Sequence, residues 1–302
     1  MDQKSNTNII GHIAQEWLNQ TTRVTVQGQT SSGIFLKLEG ERVLFLTNTT
    51  SLGPVNIITG QKLPDSWKLH SIMNIVFSGQ KLLFDHPIYP LILEPYEIWT
   101  IPNPSDYAIS IAEQKKRLAQ ASNQLKLIKN GEGLSPFLSL LQGKTSTGID
   151  SQLLEIWTAI LGIKSALLTL DEFDFLQNAK LLVGYGHGLT PSGDDFLSGL
   201  LFTLNRINNN LIPEPWLNKM QSQILEIARE KTNAVSFSLL YCATIGSADS
   251  RVQQLLEPLI NESVIFQDQA INIARWGNSS GLDLFIGIAI ALQALQERMI
   301  TR

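Results

Sequence analysis

The run Gly184-Tyr185-Gly186-His187-Gly188-Leu189-Thr190-Pro191-Ser192-Gly193-Asp194-Asp195 packs four glycines, a proline, two aliphatic hydroxyls and two carboxylates into twelve positions. Glycines at alternate positions let the backbone take positive φ and come close to another group. His187, between Gly186 and Gly188, is a candidate acid or base, although a histidine in a loop is often only a surface residue. Thr190-Pro191 reads as a helix start, since proline suits the first helical position. Ser192 and Asp195 have the spacing of a capping box, and Phe196, Leu197, Leu200, Leu201 and Leu204 follow helical spacing behind them. Such a start offers N–H groups to an anion, or Asp194 and Asp195 to a hard cation such as Mg²⁺. The plain alternative is helix punctuation without chemistry.

The same pattern returns later in the chain. Ser280, Gly281, Asp283 and Gly287 each stand 88 positions after Ser192, Gly193, Asp195 and Gly199, so both stretches read S-G-x-D-x-x-x-G. Glycine inside a helix costs about 1 kcal/mol relative to alanine, and close approach of two helices explains Gly199 and Gly287. The two helix starts are expected to adjoin and to build one site. Asp195 and Asp283 would then cap their own helices, leaving Asp194 for a ligand, with Lys231 or Arg275 as counter-charge. The competing reading is a metal-dependent hydrolase holding its cation on Asp194, Asp195 and Asp283. A third has the motif only packing helices in a scaffold subunit.

Other chemistries are argued against. No glycine-lysine-serine/threonine step of a P-loop follows the glycines, and the helical surroundings do not suit a dinucleotide fold. None of the four histidines lies in a recognisable Ser-His-Asp pattern. A net charge of −4 without a basic stripe argues against nucleic acid. Cys242 is the one cysteine and sits in an apolar run, which leaves no internal disulfide and no cysteine cage. The N-terminus does not read as a secretory signal, and the strongest apolar run, Leu284 to Leu292, is shorter than the ~20 residues of a membrane helix. A cytoplasmic protein without membrane contact is the expectation.

The elements that must position these residues form an α+β chain with two expected domains, 1–103 and 104–302. After a helix from Ile9 to Leu18, the chain to Ile101 reads as strands. They are Arg23 to Gln27, Ile34 to Leu38, Arg42 to Leu46, Val55 to Ile58, Ile72 to Phe77, Lys81 to Phe84 and Glu97 to Ile101. Short strands with frequent turns suggest a small barrel or sandwich. Pro102-Asn103-Pro104 ends it. Helices are then expected at Asp106 to Ile128 (closed by Asn130-Gly131), Leu134 to Leu141, Ser151 to Leu167, from Asp171, from the glycine motif to Asn208, and Trp216 to Lys231. The last three are Ser250 to Leu259, Phe266 to Ala274 and Asp283 to Glu297, the final one apolar nearly all round and so buried.

The run from Gly184 to Gly199 resembles the signature of a bacterial family whose best-placed member is the AllH-type subunit of oxamate carbamoyltransferase, in allantoin (purine) catabolism. Thr232-Asn233 with Ser236, Leu239-Leu240 and Gly246 is similar to a second block of that family, and Asn48 with Gly53-Pro54 to an N-terminal one. His187 and Asn233 depart from the pattern. The resemblance implies a part in moving a carbamoyl group between oxalurate and phosphate, giving oxamate and carbamoyl phosphate, in a hetero-oligomer with other subunits. The spacing of the aspartates also resembles, in outline only, the helical ADP-ribosylglycohydrolases, where Gly-Asp motifs bind metal. Together these readings assign catalytic roles to His187, Asp194 and Asp195. They assign a small carboxylate or phosphate to Gly186, Gly188, Thr190, Ser192, Gly193, Asn233, Ser236, Asn278, Ser280, Gly281 and Asp283. No cofactor is required on this reading; Mg²⁺ belongs to the hydrolase alternative.

Overall fold

The computed structural model describes residues 7–103, 109–128, 132–144, 150–208, 210–261 and 269–301. The chain divides into two compact units, one of Met1–Pro102 with Ala248–Ser250, the other of Asn103–Ser247 with Arg251–Arg302.

The first unit is a nine-stranded sheet, nearly closed into a barrel. Its strands are β1 Asn8–Gly11, β2 Arg23–Thr30, β3 Gly33–Lys37, β4 Val43–Thr47, β5 Asn56–Ile58, β6 Ile72–Ser78, β7 Lys81–Asp85, β8 Leu91–Leu93 and β9 Tyr96–Trp99, in spatial order 8-7-6-2-3-4-5-1-9. Alternation sets the faces: Val24, Val26, Leu36, Leu44, Leu46, Met73 and Phe84 are buried in the core. The expected hairpin at Glu39-Gly40-Glu41 joins β3 to β4 in antiparallel register, with Gly40 at φ +77°. Strand β2 runs past Gly28, where it was expected to end, through a register shift between Val26 and Gly28. Residues Asn8 to Gly11 form a strand where a helix was expected to begin; the helix α1 is His12–Asn19. Buried β1 pairs antiparallel with β5 and parallel with β9.

The second unit is helical among its described residues. Its elements are α2 Ile111–Ile128, α3 Phe137–Leu140, α4 Ser151–Thr169, α5 Glu172–Leu182, α6 Ser192–Ile207, α7 Glu214–Lys231, α8 Ala234–Thr244, α9 Ser250–Ile260, α10 Gln269–Ala274 and α11 Ser280–Thr301. The expected helix starts at Asp106 and Phe266 and the stop at Asn130-Gly131 lie outside the described residues. Helix α8 occupies the hydroxyl-rich stretch for which no helix was expected. Asp150 and Asp171 cap α4 and α5 by accepting the N–H groups of Leu153 and Asp174. By length and apolarity α4 and α11 each reach the composition of a membrane span, which the shorter run Leu284 to Leu292 had not suggested.

Helices α6 and α11 form the centre. The first thirteen residues of α6 are all buried, and so is α11 from Gly281 to Leu292. A Cβ on Gly199 would lie 2.1 Å from the Leu284 carbonyl oxygen, and one on Gly287 would lie 2.0 Å from that of Phe196. Those two glycines are therefore where the helices cross, backbone against backbone, and the apolar surface of both helices closes the core around that crossing.

Candidate functional site

The two S-G-x-D stretches build matching corners. In the first, the Tyr185 N–H donates to the Leu182 carbonyl (2.8 Å), and the Gly193 N–H donates to the Tyr185 carbonyl (2.9 Å). In the second, Trp276 N–H donates to Ile273 (3.0 Å), and Gly281 N–H to Trp276 (3.2 Å). A Cβ on Gly193 would meet the Leu182 oxygen at 1.9 Å, and one on Gly281 the Ile273 oxygen at 1.8 Å. Gly186 and Gly277 both take positive φ, and each lies against the serine that opens its helix. At both helix starts two N–H groups converge on one carbonyl: Asp194 and Asp195 on Pro191, Leu282 and Asp283 on Ser279. The 88-residue echo is a structural repeat.

The starts adjoin. Thr190 Oγ1 and Ser280 Oγ are 2.8 Å apart, and Asp195 lies against both hydroxyls and against Asp283. Burial holds the Asp195 carboxyl well above the ordinary carboxylate range; the Ser280 hydroxyl pulls it down, and the charge of Asp283 pushes it up again. Its Oδ2 is buried and unpartnered among the described residues. Asp283 accepts the Leu134 N–H at 2.7 Å, and Gly133 at φ +53° fits against its carboxylate, where a Cβ would come within 2.6 Å. Tyr185 stands nearby with its phenol raised, first by burial and then by the charges of Asp150 and Asp283.

Three expectations need correcting. Ser192 does not cap α6: Pro191 holds the N-cap position with no side-chain cap, so Ser192 falls one place inside and the Ser192–Asp195 box cannot close. Asp283, expected to cap its own helix, accepts the N–H of Leu134 from a distant turn. Asp194 is not the carboxylate left for a ligand. Its Oδ1 accepts the Gly184 N–H at 2.8 Å, its Oδ2 accepts the Thr232 hydroxyl, and Ser236 faces it as well. Burial still raises its pKa, against the pull of those donors. The N–H groups of Gly193 and Gly281 are also engaged within the corners, so they do not point at a ligand.

Asn233 caps α8, its Oδ1 accepting Val235 N–H (3.0 Å) and Ser236 N–H (3.1 Å), while its Nδ2 donates to the Leu189 carbonyl at 3.0 Å. The second family block therefore clamps the glycine loop from one side. Lys231 Nζ donates to the Lys180 carbonyl at 2.6 Å, and Arg275, Asn278 and His187 are exposed. Gly184, Gly186 and Gly188 stand at φ +77°, +108° and +99°, with Tyr185 and His187 between them at negative φ. Sequence reasoning missed Gly184, Tyr185, Thr232 and the Gly133-Leu134 turn as site residues. Thr232 was signalled by the hydroxyl-dense block; the turn had no signal, because it arrives from 149 positions away.

As a metal centre the cluster fits poorly. Two of the three carboxylates already serve N–H groups, and among the described residues no group of three or more His, Cys, Asp or Glu side chains is placed to hold a metal ion.

The matching corners and the clamp all lie between Leu182 and α11, and that segment has a known counterpart. Residues 182–292 match the family model of AllH, described as oxamate carbamoyltransferase subunit AllH. The match begins at Leu182, whose carbonyl oxygen Gly193 packs against, and ends inside α11, so it takes in both S-G-x-D corners and the Thr232-Asn233 block. The AllH resemblance of the glycine-rich run holds over this segment, while the nine strands of the sheet, with Asn48 and Gly53-Pro54, lie outside it. No curated protein and no solved structure matches the chain.

Proposed function

We propose that this chain is a subunit of a carbamoyltransferase and that its glycine loop binds a small carboxylate or phosphate ligand. The observation that carries the reading is the positive φ of Gly186 and Gly188 on either side of His187, a backbone able to turn the N–H groups of that stretch toward an anion; those of Gly184 and Tyr185 are already given to Asp194 and Leu182. The loop lies directly before α6, whose positive end favours the same charge. Asp195 fits this chemistry because burial favours its neutral form; a neutral carboxyl donates a hydrogen bond where a carboxylate would repel an anion. Thr190 and Ser280 add hydroxyls that donate or accept, which suits a carbamoyl group with its C=O acceptor and NH₂ donors. His187, exposed on the loop, is the group we assign to proton transfer. The proposed reaction exchanges a carbamoyl group between oxalurate and phosphate, in the cytoplasm and together with other subunits.

The test assays phosphate-dependent oxalurate cleavage by the chain alone and with its partner subunits, and titrates the chain with oxamate and with inorganic phosphate. Binding that is lost in Gly186→Ala, whose Cβ would sit 2.7 Å from Ser192 N, supports the site. Absence of both binding and activity in either setting leaves the scaffold reading. The reading needs no cofactor of the protein's own; a stoichiometric Mg²⁺ found by metal analysis would favour the hydrolase instead.

A further inference from the structure

The helical unit contains a second feature, separate from the glycine loop. A cavity of about 650 Å³ opens between α2, α4, the residues after α3 and the C-terminal half of α11. Its first lining residue on α11 is Ala289, nine residues or about 14 Å along the helix from Ser280. Three lysines line it, Lys115, Lys144 and Lys164, against one carboxylate, Glu297. Glu297 is taken by Lys164 at 2.6 Å, and among the described residues no ion pair engages Lys115 or Lys144. The amides of Asn123, Gln142, Gln293 and Gln296 add polar walls, and Leu118, Leu141, Ala289 and Ile300 an apolar surface.

We propose that this cavity binds the phosphate ester of a small organic molecule. Two uncompensated ammonium groups on separate elements suit a dianion. Lysine acts on phosphate as a point charge, and no lining residue is an arginine of the kind that grips a carboxylate in two parallel hydrogen bonds. The volume lies in the range of small-molecule sites, roughly 300–1,000 Å³, and exceeds what a lone phosphate fills. The apolar surface therefore receives the organic body; the amides of Gln142, Gln293 and Gln296 donate within the wall and hold its shape. This site does not depend on the glycine loop for its argument.

The experiment titrates the full chain with inorganic phosphate, glucose 6-phosphate and adenosine 5′-phosphate, with glucose and adenosine as uncharged controls. At least one ester is expected to bind ten-fold or more tightly than inorganic phosphate and than its uncharged parent. The double variant Lys115→Ala/Lys144→Ala should weaken that binding at least ten-fold. Ala119→Met, which fills the cavity from its wall without changing charge, should do the same, and Ser280→Ala should leave it unchanged. Thermal melts confirm that each variant is folded. No ester binding at millimolar concentration overturns the proposal. So does binding that survives Ala119→Met, which would reduce the effect to general charge attraction. Loss in Ser280→Ala would move the ligand to the helix starts and equally overturn the second site.

Discussion

Replacing Gly199 or Gly287 by alanine tests whether the two S-G-x-D helices truly meet backbone to backbone. The new Cβ would sit 2.1 Å from the Leu284 oxygen or 2.0 Å from the Phe196 oxygen, whereas ordinary contact begins near 3.4 Å. The helices must separate by more than an ångström, because a carbonyl inside a helix cannot turn away without giving up its own hydrogen bond. Overpacking of this kind costs about 1–3 kcal/mol, occasionally more. Alanine returns up to about 1 kcal/mol through its helix propensity. Because the obstacle is backbone, the upper end of the first range applies, and the net expectation is about 2 kcal/mol for each variant. For a unit of this size that is a fall of roughly 4–8 °C in Tm. Gly162→Ala is the control. The atoms nearest its Cβ belong to the side chain of Asn178, at 2.5 Å, which can swing aside, so its change should stay within about 1 kcal/mol. Urea unfolding followed by far-UV circular dichroism gives all three values. The Gly199→Ala/Gly287→Ala double variant should cost less than the sum, since one separation serves both. If Gly199→Ala and Gly287→Ala fall within about 0.5 kcal/mol of the parent, the crossing is wrong, and with it the argument that the helix starts adjoin.

Two further outcomes concern the carboxylates. Asp195 has a folded pKa above its unfolded one, so its contribution is fully present below the unfolded carboxylate pKa and is lost as pH rises through the folded value. Across that window it removes up to about 1.4 kcal/mol per pH unit; Asp195→Asn should therefore gain on the parent between pH 4 and neutrality, and parallel stability curves would refute it. Asp283→Ala leaves the buried Leu134 N–H without its acceptor and should cost about 1–3 kcal/mol, whereas Asp283→Asn keeps an acceptor oxygen and should cost less in the same urea titration.

Much of this was legible in the chain. Alternating apolar residues marked most strands of the sheet, and the spacing of Gly199 and Gly287 foretold the crossing of α6 and α11. What escaped was short or non-local. Strand β1 has four residues and runs straight into the amphipathic period of α1, so one helical pattern seemed to cover both. The capping box failed by one position, because Pro191 with its extended ψ of 144° took the cap that Ser192 was expected to hold. That shift gives the carboxylates their roles. It sets Asp194 beside Gly184 and Thr232, and Asp195 against Ser280. No local pattern could reveal that Leu134 would claim Asp283.

The repeat also separates scaffold from function. Whatever both corners share is explained by building a helix start twice: the aromatic residue, the positive-φ glycine, the serine, the close-packed glycine and the buried aspartate. The differences need another reason. Five residues stand between Gly186 and Ser192 in the first corner where two stand between Gly277 and Ser280 in the second, and the longer stretch carries His187, Gly188 and Thr190. Asp194 stands where the second corner has Leu282, and it ties the first turn of α6 to Gly184 and Thr232. The Asn233 clamp reaches Leu189 in the longer loop. A packing device needs none of these additions, since the second corner closes without them. On the proposed reading they serve the ligand: the N–H groups from Gly186 to Gly188, a histidine between them, and three polar side chains that fix the loop. Lengthening the second corner to match the first, or shortening the first to match the second, should therefore change function far more than folding.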